Sequence, residues 1–190
     1  FVREKRLTHF LCLDSDVLLF CNVKEVFNNF LNYDFTISRD FSPHVALFNA
    51  DSLSQFCNYL QDLYTRPEYL ERLRRYYQNC LQNAKNSGVS DMTAFDWYKD
   101  ISSNVKEISD PEDRFFFDGN MNDEDGFEMA GGLKRIFWQA NLPFGRTKTE
   151  GLYIRMQALH FQGAAKRKIR NYVSLKVRLE KIIRSLRRAF

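Results

Sequence analysis

An α/β domain built on a mixed sheet is what three features of this chain predict. Short apolar runs that read as strands lie near residues 10–20, 34–38, 45–50, 133–138 and 158–162. Between them stand longer stretches whose apolar residues recur every three and four positions, the spacing of one helix face. The two kinds of segment alternate irregularly, and the helical ones are too long for an all-β chain.

The elements follow in order. Phe10 to Phe20 is apolar on both sides of two acids and does not alternate with polar residues, so its flanks read as a fully buried, parallel-type strand. Val23 to Phe30 is helix-like, and Asp34 to Ser38 is a short strand. Val45 to Ala50 is a third strand, ending in Asn49. Small hydroxyl caps at Ser52 and Ser54 start a helix carrying Phe56, Tyr59, Leu60, Leu63 and Tyr64 on one face. Pro67 opens the next helix, with Tyr69, Leu70, Leu73, Tyr76, Tyr77, Cys80 and Leu81. Gly88 to Asp91 breaks that helix and caps another through Ser90 or Asp91. Arg114 to Phe117 reads as a strand entering a tight turn at Asp118-Gly119-Asn120. An EF-hand there fails. Counting from Asp118, Asp123 stands where the loop needs Gly, and Met129 where it needs Glu.

With 190 residues the chain has one domain's worth of length, and its 18 Phe and 9 Tyr suit either a core or a sugar-facing cleft. No apolar run approaches the roughly 18 residues that cross a bilayer. The charged start Phe1 to Arg6 lacks the pattern of a signal peptide. Cys12, Cys21, Cys57 and Cys80 form no C-x-x-C pair; three of them lie in apolar or amphipathic segments and read as buried thiols, in a reducing, cytoplasmic setting. The net charge of +4 is unevenly spread: Lys166 to Phe190 holds ten Lys/Arg against Glu180, whereas the remainder holds 18 basic and 23 acidic residues.

The chemistry concentrates in two places. Asp14-Ser15-Asp16 sets two carboxylates inside an apolar run, where unpaired charge is costly and a bound cation is the usual remedy. His160-x-x-Gly163-x-x-Lys166 adds an imidazole that suits a Mn2+-class metal beside carboxylates. Its glycine lets a backbone N–H approach a phosphate closely, and its lysine adds a point charge.

In this order, Asp14-Ser15-Asp16 and the later His160-x-x-Gly163-x-x-Lys166 resemble the metal-dependent glycosyltransferases of the GT-A fold, in particular the family that includes glycogenin and the bacterial lipooligosaccharide galactosyltransferases. The resemblance implies Asp14, Asp16 and His160 as ligands of Mn2+ (or Mg2+), and Gly163 and Lys166 as contacts to the diphosphate of a nucleotide sugar. Leu47-Phe48-Asn49-Ala50 is similar to the strand end whose Asn touches the donor sugar, although Asp51 replaces the expected Gly. Gly88-Val89-Ser90-Asp91 is similar to the segment bearing the family's acid beside the reacting carbon, although Met92 replaces the expected Gln. That makes Asn49 a donor contact and Asp91 the catalytic residue. The implied activity is transfer of a sugar to an acceptor hydroxyl on a glycan, a lipid-linked saccharide or a protein.

In that family a nucleotide-binding βαβ half precedes the Asp-x-Asp strand, whereas here Asp14 is close to Phe1. The expectation is therefore an incomplete GT-A-like domain over residues 1–165, inactive alone, followed by a tail over 166–190. In the tail Tyr172, Leu175, Leu179, Ile182, Ile183, Leu186 and Phe190 step along one face among basic residues, the pattern of a basic amphipathic helix. Such a helix lies on an anionic membrane surface, here the inner face, or docks on protein. Two other functions use the same features: a nucleotidyltransferase, which also employs Asp-x-Asp and a metal, and a non-catalytic module binding membrane or nucleic acid through the tail. The acidic body argues against nucleic acid.

Overall fold

The computed structural model describes residues 4–38, 42–83, 88–102 and 104–173. The chain is mixed α/β, as expected, and divides into two compact units. The first comprises residues 1–14 and 22–110, the second residues 15–21 and 111–190.

The first unit contains a four-stranded sheet in the order β1 (His9–Leu13), β4 (Val45–Asn49), β3 (Phe35–Ile37), β5 (Val105–Glu107). β4 runs antiparallel to both β1 and β3, whereas β3 and β5 are parallel, so the sheet is mixed. A short helix α1 (Val23–Phe27) stops before the expected Phe30, because the backbone turns at Asn28 and Asn29.

Helices α2 (Ala50–Thr65), α3 (Pro67–Gln82) and α4 (Asp91–Lys99) are the three that the apolar spacing predicts. α2 starts two residues early, because Asn49 caps it by accepting the Asp51 N–H at 2.9 Å. Ser52 is instead buried and donates to Asp34. Aromatic rings fill this unit's core: Phe56 stacks on Phe95 at 4.2 Å between centroids, and Phe35, Phe48, Tyr59, Trp97 and Tyr98 join them.

The second unit is a sheet in the order β2 (Val17–Leu19), β11 (Tyr153–His160), β10 (Leu142–Arg146), β9 (Ile136–Gln139). These neighbours are antiparallel, and β6 (Phe116–Phe117) joins β11 in parallel. A separate hairpin pairs β7 (Met129–Ala130) with β8 (Leu133–Lys134). The core holds Phe116, Met121, Phe127, Leu133, Met156, Leu159 and Phe161.

Several expectations are corrected. The single buried, parallel-type strand near 10–20 is two strands, β1 and β2, both antiparallel to their partners and neither buried. The chain turns at Ser15–Asp16, since a strand interior offers two carboxylates nothing to ionise against. Only Cys80 is a buried thiol, while Cys12 and Cys57 are exposed. Cys57 follows Phe56 by about 100° around α2, which turns it away from the core that Phe56 enters. The start of the basic tail is a 3-10 helix (Gly163–Asn171) whose Ala165 and Ile169 pack into the second core, and the Tyr172 ring lies tilted against Phe161 at 4.9 Å between centroids. Tyr172 thus belongs to the body of the second unit. The rest of the expected amphipathic helix lies outside the described residues. Among the described residues no helix is long and apolar enough to cross a membrane.

Candidate metal centre

The register of β2 on β11 brings the two chemical segments together in the second unit. Val17 pairs with His160 and Leu18 with Leu159. Asp16 and Phe161 extend that ladder by one step, the Asp16 carbonyl accepting the Phe161 N–H at 2.9 Å. Asp16 and His160, 144 residues apart, are therefore neighbours at one end of an antiparallel pair.

Both side chains are almost buried, Asp16 being 8% and His160 4% exposed. Asp16 Oδ1 lies 3.6 Å from His160 Nε2, and Asp16 Oδ2 lies 3.0 Å from Lys166 Nζ. The lysine side chain is more than half exposed, reaching the acid from the wet side. It comes from the 3-10 helix, whose first residue, Gly163, has φ +55. Nothing lies within 4 Å of where a Cβ on Gly163 would stand. Its glycine therefore answers to backbone conformation and not to crowding.

The imidazole of His160 is oriented by its other nitrogen. Nδ1 lies 2.7 Å from the Gly119 carbonyl oxygen. A carbonyl only accepts, so Nδ1 carries the hydrogen, and in the neutral ring Nε2 presents a lone pair toward Asp16. A lone pair facing a carboxylate oxygen is unfavourable unless a proton or a cation lies between them. This is the arrangement a metal-binding histidine adopts, with the non-ligating N–H fixed on a carbonyl.

Behind the histidine is a buried network that the sequence did not disclose. Asp118 is fully buried and accepts the His160 backbone N–H at 3.2 Å through Oδ2. Its Oδ1 lies 2.7 Å from Nζ of the buried Lys134. Lys134 also donates to Asp125 Oδ2 at 2.6 Å and to the Asn120 carbonyl at 2.7 Å. Burial pushes the Asp118 carboxyl up, outweighing the pull of the Lys134 ammonium and the His160 N–H. These acids belong to the stretch that mimics a Ca2+ loop, and they enclose a lysine. The one signal in the sequence is Lys134 beside Leu133, a charge inside a short strand.

The remaining expected site residues lie in the first unit. Asp14 is exposed and ends the first of that unit's two segments, its N–H donating to the His44 carbonyl at 3.0 Å. The Asn49 side-chain oxygen is engaged in capping α2. Asp91 is exposed at the first position of α4, with Oδ1 accepting the Met92 N–H at 3.0 Å.

The pair of Asp16 and His160 fits a divalent cation: one carboxylate oxygen and one imidazole nitrogen, both nearly dry and each turned toward the other. A nitrogen ligand favours a Mn2+-class ion over Mg2+, which prefers oxygen throughout. No family model matches the chain, and neither a curated protein nor a solved structure matches it.

Proposed function

We propose that this chain is part of a metal-dependent glycosyltransferase of GT-A type, moving a sugar from a nucleotide diphosphate sugar to an acceptor hydroxyl of a glycan or lipid-linked saccharide. The observation that carries the reading is the convergence of Asp16, His160 and Lys166, with His160 fixed by Gly119 so that Nε2 is the nitrogen turned toward Asp16. Asp14, two residues before Asp16 in the chain, is the third ligand in this proposal.

A bound Mn2+ would supply Lewis-acid neutralisation of the diphosphate as it leaves. The chain's own residues do the rest. Asp16 and His160 hold the ion. Lys166, on the wet side of Asp16, turns its ammonium to the diphosphate oxygens and stabilises the charge that grows there. Gly163, free of a Cβ, leaves the start of the 3-10 helix open to a phosphate. Asn49 contacts the donor sugar, and Asp91 orients sugar or acceptor at the reacting carbon. The basic residues after 166 contact an anionic membrane surface from the cytoplasmic side.

The test measures Mn2+ binding by this chain, and Mn2+-dependent release of sugar from a panel of nucleotide diphosphate sugars by the intact protein that carries it. Asp16→Asn and His160→Ala are expected to abolish both. An intact protein carrying this chain that binds Mn2+ but turns over none of the donors overturns the transferase. Undiminished Mn2+ binding by both variants overturns the metal centre.

A further inference from the structure

His160 is gripped at three atoms by one short segment. The Asp118 carboxylate takes its backbone N–H, the Gly119 carbonyl takes its ring Nδ1–H, and its own carbonyl accepts the Met121 N–H at 2.9 Å. The segment 118–121 thus sets both the position of the histidine and the nitrogen it presents. What holds that segment is Lys134. Its ammonium bonds Asp118 Oδ1, the Asn120 carbonyl and Asp125 Oδ2, and its backbone N–H donates to the Met121 carbonyl at 2.8 Å.

Lys134 is 1% exposed and the Asp118 side chain not at all. Stability alone is a poor reason for such a group, because well-packed apolar residues of similar volume do as well or better than a buried ion pair. A hydrophobic residue at 134, however, could not fix two carboxylates and a carbonyl in one geometry. The network reaches the histidine through its backbone N–H and its Nδ1.

We propose that Lys134 is a positioning residue for His160: by tying Asp118, Asn120 and Asp125 together it holds the Gly119 carbonyl on Nδ1 and so keeps the imidazole in its Nδ1–H form, with Nε2 turned toward Asp16, for a divalent cation. The proposal rests on the reading of Asp16 and His160 as metal ligands. It adds that the metal affinity of this chain depends on a lysine that touches no metal. Outer-shell partners of this kind change affinity by about 10–100-fold.

The experiment uses the 190-residue chain with Mn2+ alone as probe. Long-range 1H–15N spectra report which nitrogen of His160 carries the proton, and the electron paramagnetic resonance of free Mn2+ reports binding. The wild-type chain is expected to show the Nδ1–H form. Lys134→Met, with native circular dichroism, is expected to lose that single form and bind Mn2+ about 10–100-fold more weakly. Asp16→Asn is expected to lose Mn2+ while keeping the Nδ1–H form, which separates ligand from positioner. A folded Lys134→Met chain with the wild-type tautomer and affinity overturns the proposal, as does a wild-type chain in the Nε2–H form. A wild-type chain that binds no Mn2+ removes the metal reading, and the tautomer of Lys134→Met then still decides the positioning role. Where Lys134→Met does not fold, Asp125→Asn keeps the shape at the less buried end of the network. It should give a smaller change in both readouts, and no change there overturns the proposal.

Discussion

Asp16 has two different partners, the His160 imidazole on one oxygen and the half-exposed Lys166 ammonium on the other. Its neighbour Asp14 is read best through Cys12. Protein around the Cys12 thiol desolvates it even though the residue is exposed, and this is the larger reason its pKa is raised; the negative charge of Asp14 is the second. A raised thiol pKa means less thiolate at a given pH, so alkylation should shift to higher pH than in an unstructured peptide. Asp14→Asn should move the Cys12 profile back toward lower pH without reaching the peptide value, because desolvation remains. Iodoacetamide labelling followed by mass spectrometry of the Cys12 peptide across pH checks this. An unchanged profile in Asp14→Asn would show that the acid does not act on the thiol. Neither Cys12 nor Lys134 announces its role in the sequence, because both depend on neighbours that only the folded backbone supplies.

The helices were readable and the strands only partly so, for reasons visible in their residues. α2, α3 and α4 each expose a three-four apolar rhythm, and Pro67 and Ser90 mark the starts of α3 and α4, whereas the cap of α2 is Asn49 and not the expected Ser52 or Ser54. β10 was unreadable because Pro143 and Gly145 interrupt it. Gly145 is nevertheless required, since a Cβ there would overlap Met156 and come within 2.7 Å of the Phe127 ring. β5 and β7 are two or three residues long, too short for any period to show, and the strand expected over 133–138 is two short ones, β8 and β9. Asn49 belongs to both a motif and an element, and the two roles separate by substitution. Asn49→Ala should cost about 1 kcal/mol by removing the cap, whereas Asn49→Asp, an equally good cap, should leave stability within a few tenths. Urea unfolding measures both. In the transferase reading Asn49→Asp loses donor binding despite its stability, because a carboxylate cannot donate to a sugar hydroxyl.

The whole chain carries its charge in opposite directions, an acidic body and a basic end. The packing of Ala165, Ile169 and Tyr172 into the second core changes where that end begins. A chain stopped at Val173 keeps those contacts and removes six Lys/Arg and one Glu. It should retain its folding cooperativity and lose flotation with anionic liposomes, and the loss should be mimicked by salt for the full chain. Equal flotation of both chains would exclude residues 174–190 as the membrane contact. Of the candidate site, the acids, His160 and Lys166 were recognisable as motifs. The turn between β1 and β2 and the clamp behind His160 were not, because each depends on pairings with residues far away in sequence.

The pairing of β2 with β11 also dictates a timetable. A ribosome working at about 5–20 residues per second releases Val17–Leu19 early and their partners Ala158–His160 among the last fifth of the chain. Asp16 meets His160 only then. Until that moment the second unit has an apolar strand without its partner, and Asp16 has no imidazole beside it. Any copy of the chain halted before residue 160 is without the centre altogether.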